Sequence, residues 1–307
     1  MSTYSIKDLE KLSGIKAHTI RIWEQRFHLI EPQRTNTNIR YYSDDDLVKL
    51  MNVSLLNKSG YKISKIAELD NNQINGLILQ LNAEVPSLLT YSSDLVKALL
   101  DVDEIMFNHV FETSVENLGF EETVEQLLFP FLENIGTLWL SGTIIPAQEH
   151  FITNLIRQKL IAAIDREQTR TGESLPRILF YLPEGEFHEI GMLYYNYLAR
   201  KANLEVIYLG TSVPFRDIVK MDVIRPFHII FTSFVISHGE GTLAKRIERK
   251  RKAFPGKKFL VSGWQLKNEQ PRLPKNFFQI ASAADFKKVL NYILKKETRK
   301  QGGSGCL

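Results

Sequence analysis

The sequence predicts a multidomain α and α/β protein: a small helical head, a four-helix bundle and a doubly wound parallel sheet. Three observations predict it. Up to about residue 75, apolar side chains recur at helical spacing around a glycine turn, followed by a short hairpin pattern. Residues 87–168 keep helical spacing throughout, with breaks expected at Gly119, Pro130, Gly142 and Pro146. From residue 177 onward, short apolar runs alternate with helical stretches, as in a parallel sheet covered on both faces.

A chain of 307 residues can hold two or three domains. Its net charge of +4 permits a nucleic-acid partner without requiring one. No apolar signal region opens the chain, and no apolar run approaches the ~20 residues of a membrane span. A cytoplasmic protein without a membrane partner is therefore expected. The single cysteine, Cys306, follows the run Gly302-Gly303-Ser304-Gly305, which excludes disulfides and cysteine-based zinc sites within one chain. Polar residues at 70–73 and a proline within 82–87 mark a boundary. The expected division is a head at 1–75, a linker at 76–86, a helical cap at 87–172, a sheet domain at 175–297 and a disordered tail at 298–307.

In the head, residues 4–12 read as a short helix capped by Ser5, with Ile6, Leu9 and Leu12 facing inward. Ser13-Gly14-Ile15 is a turn, and a second helix is expected over 16–27. On it Ile20, Trp23 and Phe27 form the inner stripe, while His18, Arg21, Ile22 and Gln25 face outward. A short helix, a glycine turn and a second helix with a basic outer face make a helix-turn-helix pattern. Arg34 and Arg40 then flank an Asn/Thr turn, as in a hairpin wing that straddles a phosphate backbone. Further helices are expected at 43–57 and 62–69.

The run Thr19-Ile20-Arg21-Ile22-Trp23-Glu24-Gln25-Arg26, with Pro32, Arg34, Arg40 and Tyr42, resembles the winged helix-turn-helix of MerR-type transcription regulators. The resemblance covers residues 1–75, and Trp23 is similar to the variant in members with a cobalamin-binding effector domain. It implies a double-stranded DNA operator as partner, with contacts from His18, Thr19, Arg21 and Gln25 on the helix and Arg34, Arg40 and Tyr41 in the wing. Asn38-Ile39 stands where these regulators usually carry Gly-Tyr or Gly-His, so the wing turn departs from their pattern.

The helical region holds Trp139 and, ten residues later, Glu149-His150. A buried tryptophan and a partly exposed Glu-His pair are also ordinary bundle features. The spacing is nonetheless similar to the cap of cobalamin-dependent photoreceptor regulators. The resemblance implies that Trp139 covers the upper corrin face and that Glu149 and His150 lie near the upper ligand. In the light-sensing members a histidine directly follows the tryptophan; here Leu140 stands there, with no lone pair to donate.

Strands are expected at 177–182, 205–209, 228–231, 258–261 and 278–280, with helices at 189–202, 215–225, 239–253 and 283–296. The segments 184–191, Gly210-Thr211-Ser212, Thr232-Ser233-Phe234 and Ser262-Gly263 would gather past the strands, where such a sheet places its ligand. Within them Glu186-x-His188-x-x-Gly191, Ser233-x-Val235 and Ser262-Gly263 resemble the Asp-x-His-x-x-Gly, Ser-x-Leu and Gly-Gly signature of the cobalamin-binding, Rossmann-like domain of methionine synthase and corrinoid proteins. The resemblance implies adenosylcobalamin or methylcobalamin as cofactor. His188 would be the metal ligand on the lower face, Glu186 would accept its other ring proton, and Ser233 would line a tunnel for the nucleotide tail. Gly191, Val235, Ser262 and Gly263 complete the implied cofactor site. Glutamate is one methylene longer than aspartate, so a looser or water-routed contact to His188 is expected. Alone, His188 reads more often as an ordinary polar loop residue, and His228 and His238 carry no assigned role.

Together these readings describe a transcription regulator rather than an enzyme. Cobalamin would control its homo-oligomeric state, dimer or tetramer, and through it operator binding, with a light response as one consequence. Two alternatives stay open: a cobalamin-independent regulator with a degenerate effector domain, and a corrinoid methyltransferase subunit. The helix-turn-helix head and the lack of a cluster of general acids and bases weigh against the second.

Overall fold

The computed structural model describes residues 4–34, 38, 40–58, 60–71, 73–74, 77, 88–140, 144–167, 176–235 and 242–302. The expected linker (apart from residue 77), Gly142, His238 and the tail from 303, with Cys306, lie outside the described residues. The chain divides into two compact units, Met1–Ile156 and Arg157–Leu307.

In the first unit, α1 (Ile6–Ser13) opens on a reciprocal cap: Ser5 Oγ accepts from Asp8 N, and the Asp8 carboxylate accepts from Ser5 N. Gly14, at φ 71°, ends the helix in the left-handed conformation that favours glycine. Helix α2 (Ala17–Phe27) buries Ile20 and Trp23, while Phe27 is half-buried. Strands β1 (Gln33–Arg34) and β2 (Arg40–Tyr41) pair antiparallel as the wing, and Tyr42 continues the pairing to Tyr4. Helix α3 (Asp44–Lys58) is capped by Ser43 and Asp46 in the same reciprocal way. Helix α4 (Ile63–Ile66) is shorter than the 62–69 expected, because Glu68 and Leu69 bond back only three residues.

The bundle follows as α5 (Leu88–Asp101), α6 (Glu104–Leu118), α7 (Phe120–Glu122), a π-helical segment (Thr123–Leu128), α8 (Phe129–Leu140) and α9 (Pro146–Arg166). Gly119, at φ 86°, ends α6 as expected. Pro130 does not break the chain. A proline lacks the N–H and crowds the carbonyl four residues back, here Gln126. The wider π turn contains that residue and absorbs the misfit. Pro146 is the first residue of α9, where a missing N–H costs nothing.

The second unit is a five-stranded sheet, every pair parallel, built from β3 (Arg177–Pro183), β4 (Glu205–Val213), β5 (Ile229–Ser233), β6 (Lys258–Ser262) and β7 (Phe277–Gln279) in the order β4-β3-β5-β6-β7. Helices α10 (Ile190–Lys201), α11 (Phe215–Ile224), α12 (Leu243–Ala253), α13 (Trp264–Glu269) and α14 (Ala283–Gly302) connect and flank the strands. Side chains alternate between the two faces of a strand. Phe180 and Phe231 stack on one face, against Tyr195 of α10 and Phe286 of α14. Leu179, Tyr181, Ile230 and Phe234 pack on the other, with Ile218 of α11 and Ile247 of α12. The β3–β5 contact is where strand order reverses, the position that opens a crevice at the carboxyl ends.

Four expectations for this unit are corrected. Strand β4 runs through Gly210-Thr211-Ser212 instead of ending at 209, because register shifts against β3 let it continue past the kink at Gly210. Strands β5 and β6 take in Thr232-Ser233 and Ser262, which pair as Ser233↔Ser262. Helix α13, a short six-residue element after the left-handed Gly263, had no periodic signal. Helix α14 continues through 298–302, expected to be disordered, since residues 295–301 contain neither proline nor glycine and hold mostly strong helix formers. Among the described residues, no helix is long and apolar enough to cross a membrane.

Candidate functional site

Strand β3 ends at Pro183 and turns through Gly185, at φ 79°, so that Glu186 N bonds back to Pro183 O at 2.9 Å. This turn folds Glu186 into the crevice, where it is 2% exposed. Its Oε1 lies 2.6 Å from His188 Nδ1 and accepts the backbone N–H groups of Phe187 and His188, each at 3.1 Å. Its Oε2 accepts from Val235 N at 3.1 Å, past the end of β5. The looser contact expected for a glutamate is therefore not found: the extra methylene lets the carboxylate span from β3 to β5 while still touching the imidazole. With Nδ1 donating to the carboxylate, the ring's lone pair lies on Nε2, and the His188 side chain is 57% exposed.

The neighbouring strand ends complete the edge. Ser233, nearly buried, stands beside Ser262 in register. Gly263 is at φ 112°, and a Cβ there would lie 2.3 Å from Phe234 O. The close approach also lets Gln265 N reach Phe234 O, at 3.1 Å, so glycine at 263 is required to pack β5 against β6. A Cβ on Gly191, by contrast, would meet nothing within 4 Å: the space over the start of α10 is open. Val235 serves the site through its amide. Ser212, at φ 54°, donates its N–H to Glu186 O at 3.1 Å and accepts Gly185 N on its Oγ.

Three residues absent from the sequence reading join this edge. Glu189, next to His188, accepts Arg157 Nε at 2.5 Å and the Tyr208 hydroxyl at 2.7 Å. Burial, then the Glu189 carboxylate, pushes the Tyr208 phenol far above its ordinary range, so it stays a neutral donor. Adjacency to His188 was a usable signal for Glu189. Arg157 and Tyr208 lie 32 and 19 residues away from it and carried none.

In the first unit, Glu149 and His150 sit in the opening turn of α9, with His150 Nδ1 3.1 Å from Glu149 Oε2 and the histidine largely exposed. Trp139 and Leu140 end α8, and their side chains lie outside the described residues. Among the described residues, no group of three His, Cys, Asp or Glu side chains could hold a bare metal ion. A metal carried by its own macrocycle needs only one such ligand. His228 is a backbone partner, its Nδ1 accepting Arg177 N at 3.1 Å.

The head presents the other site. His18, Arg21 and Gln25 are exposed on α2, Ile22 is 48% exposed beside them, and Thr19 is half-buried. In the wing Arg34 and Arg40 face each other across the hairpin, and Tyr41 is half-buried. Asn38 takes φ 64°, a left-handed turn position asparagine tolerates, and Arg34 Nη1 donates to its Oδ1 at 2.6 Å. The Asn38 departure is thus accommodated. Glu24, counted in the sequence only as an opposing charge, ties the wing to α2: Arg40 Nε and the Tyr42 hydroxyl each donate to it at 3.1 Å. Burial, and secondarily Glu24, pushes the Tyr42 phenol up to about 12.

A DNA-reading head joined to a sheet domain with a carboxylate-held histidine at its switch point defines a ligand-controlled regulator. The comparisons with known proteins agree. Residues 4–73 match the MerR HTH family regulatory protein model and residues 92–163 the B12 binding domain model. The HTH-type transcriptional repressor CarH of Myxococcus xanthus is 27% identical over 82% of this chain and 86% of its own. The repressor CarA of the same organism is 25% identical over 80% and 81%. The monomethylamine corrinoid protein of Methanosarcina barkeri shares the fold, at 13% identity and TM-score 0.51, over 65% of this chain and 96% of its own. The head thus matches a MerR-type helix-turn-helix and the helical bundle a B12 binding domain, and over most of its length the chain is similar to transcriptional repressors.

Proposed function

We propose that this protein binds adenosylcobalamin or methylcobalamin at the carboxyl edge of its sheet, and that the cofactor sets the oligomeric state in which the head engages operator DNA. The observation that carries the reading is the Glu186–His188 pair at 2.6 Å on the switch point. A metal-ligating imidazole donates its second N–H to a carboxylate, which fixes tautomer and ring orientation, and Glu186 is itself fixed by three backbone N–H groups. The open space over Gly191 and the small Ser233 and Ser262 suit a bulky macrocycle with a tail. Trp139, Glu149 and His150 are proposed as further cofactor contacts, and Val235 and Gly263 as shaping the site through the backbone.

When bound, cobalamin would supply a cobalt centre that accepts a protein ligand and a labile cobalt–carbon bond. His188 would ligate the cobalt as a neutral imidazole, with its proton kept on Nδ1 by Glu186. Operator contacts fall to Arg21, Gln25, His18 and Thr19 in the major groove and to Arg34, Arg40 and Tyr41 on the phosphates. Binding that favours one assembly state changes how many operator half-sites are held at once, which is the coupling needed for regulation.

The deciding experiment is the absorption spectrum and gel-filtration profile of the full chain with adenosylcobalamin, in the dark and after illumination. His188→Ala is expected to weaken binding and to give the spectrum of a water- or base-ligated cobalamin. Unchanged affinity and spectrum in that variant would remove His188 from the site. Because Leu140 replaces a histidine after Trp139, illumination should leave no stable two-imidazole adduct through a denaturing gel-filtration step.

A further inference from the structure

Helix α2 turns one large apolar side chain outward. Its inner stripe buries Ile20 and Trp23, and its opposite face carries His18, Arg21 and Gln25, all exposed. Ile22 stands among them, 48% exposed. It lies one turn beyond His18 and one turn before Arg26 on the same helix. His18 Nε2 is 3.3 Å from Thr19 Oγ1, and the Arg26 guanidinium is 5.7 Å from the ring of Phe27. Both neighbours along the helix axis thus lean on the next residue, and the isoleucine between them keeps about half of its surface in solvent.

Exposure alone carries no argument: Ile105 and Val223 are more exposed, and single apolar residues are common on protein surfaces. Position does. In a helix-turn-helix the outer face of the second helix enters the major groove. Adenine, guanine and cytosine are read there by polar atoms, while thymine adds a C5-methyl group beside its carbonyl acceptor. An isoleucine pressed on a polar edge would strip a donor or acceptor of water without replacing it, at a cost. Pressed on the methyl, it removes apolar surface from water on both sides. A β-branched side chain in a helix also keeps one strongly preferred rotamer, so little further entropy is lost on contact.

We infer that Ile22 selects a thymine in each operator half-site through contact with the C5-methyl group. The inference rests on the operator reading of the head. Arg21 and Gln25 supply hydrogen bonds to base edges, and Ile22 supplies a contact that hydrogen bonding cannot. One buried methyl corresponds to about a fourfold change in affinity for each half-site.

The test begins by selecting tight-binding sequences from a pool of random duplexes with the full chain, with and without adenosylcobalamin. Each thymine of the selected duplex is then replaced in turn by deoxyuridine, which removes the methyl and keeps the hydrogen-bonding edge. The wild type is expected to lose about fourfold at one thymine of each half-site. Ile22→Ala should bind the thymine duplex more weakly and show no further loss on uracil, because both changes remove the same contact. Ile22→Val, still apolar and β-branched, should keep the preference for thymine. Unchanged binding of a random duplex shows that the head of each variant is folded. A uracil penalty that persists in Ile22→Ala means that another side chain reads the methyl, and overturns the inference. Tolerance of uracil at every thymine by the wild type also overturns it, and leaves the operator reading standing. Enrichment of no sequence in either cofactor state removes the operator reading, and the inference with it.

Discussion

Two carboxylates, Glu186 on the sheet edge and Glu24 in the head, each hold a functional side chain, but they are held by different means. Glu186 takes one bond from an imidazole and three from backbone amides. Glu24 takes its bonds from the side chains of Arg40 and Tyr42. The first arrangement is part of the main-chain path and stays put whatever approaches the histidine. The second can be traded: a DNA phosphate near Arg40 competes with Glu24 for the same guanidinium. The imidazole held in one orientation is thus set on amides, and the guanidinium free to exchange partners is set on side chains.

Replacing Glu186 should break the contrast most visibly. Glu186→Leu leaves three amides and an imidazole without their acceptor and is expected to cost about 3–5 kcal/mol, read as the urea midpoint of the second unit. A near-wild-type midpoint would mean that the amides find other partners and that the edge is not rigid. Glu186→Gln keeps the shape and should lose on the order of tenfold in cobalamin affinity.

In the head the corresponding effects fall on binding and not on folding. Arg21→Ala should cost roughly 1–3 kcal/mol, mainly on the cognate operator. Electrophoretic titrations on cognate and random duplexes separate the cases, and equal losses on both would move Arg21 to the phosphate contacts. Arg34→Ala should weaken both duplexes alike and shallow the salt dependence by about one unit of slope. Arg40→Ala should do the same and also lower the stability of the head, by up to about 1 kcal/mol, because its ion pair with Glu24 is partly buried. Equal stability of the two variants would remove the staple assigned to Glu24.

The smallest effect is confined to alkaline pH. Tyr42 is raised in the folded chain from 10.0 to about 12, by burial first and Glu24 second. A raised folded value means the neutral phenol is favoured by folding. Its contribution is fully present below pH 10 and is lost as the pH climbs toward 12. The head of Tyr42→Phe should lack that loss in a melting series followed by tyrosinate absorbance.

What could be read in the sequence divides along the same line. The Ser5 cap, the Ile20 and Trp23 stripe and the Glu186-x-His188 pair are encoded within a few residues of one another, so spacing alone shows them. Contacts that close only when distant segments meet were invisible: Arg157 to Glu189 and Tyr42 to Glu24. Pro130 misled because a breaker rule assumes an α-helical turn, and the chain uses a wider one there. Strand ends were set too early at Leu209 and Phe231 because polar Thr and Ser read as loop, although a buried parallel strand can carry them at its carboxyl end.

The kinks of β4 reach beyond the ligand edge. An open sheet offers a row of unpaired amides along each border, which a second sheet can extend into an aggregate. Here β7 offers a border of three residues, and the long border strand β4 is bent at Gly210 and Ser212, at φ 80° and 54°. A bent border does not match a flat one. The backbone angle that aims the Ser212 amide at the Glu186 carbonyl therefore also bends this border away from the shape a second sheet would extend.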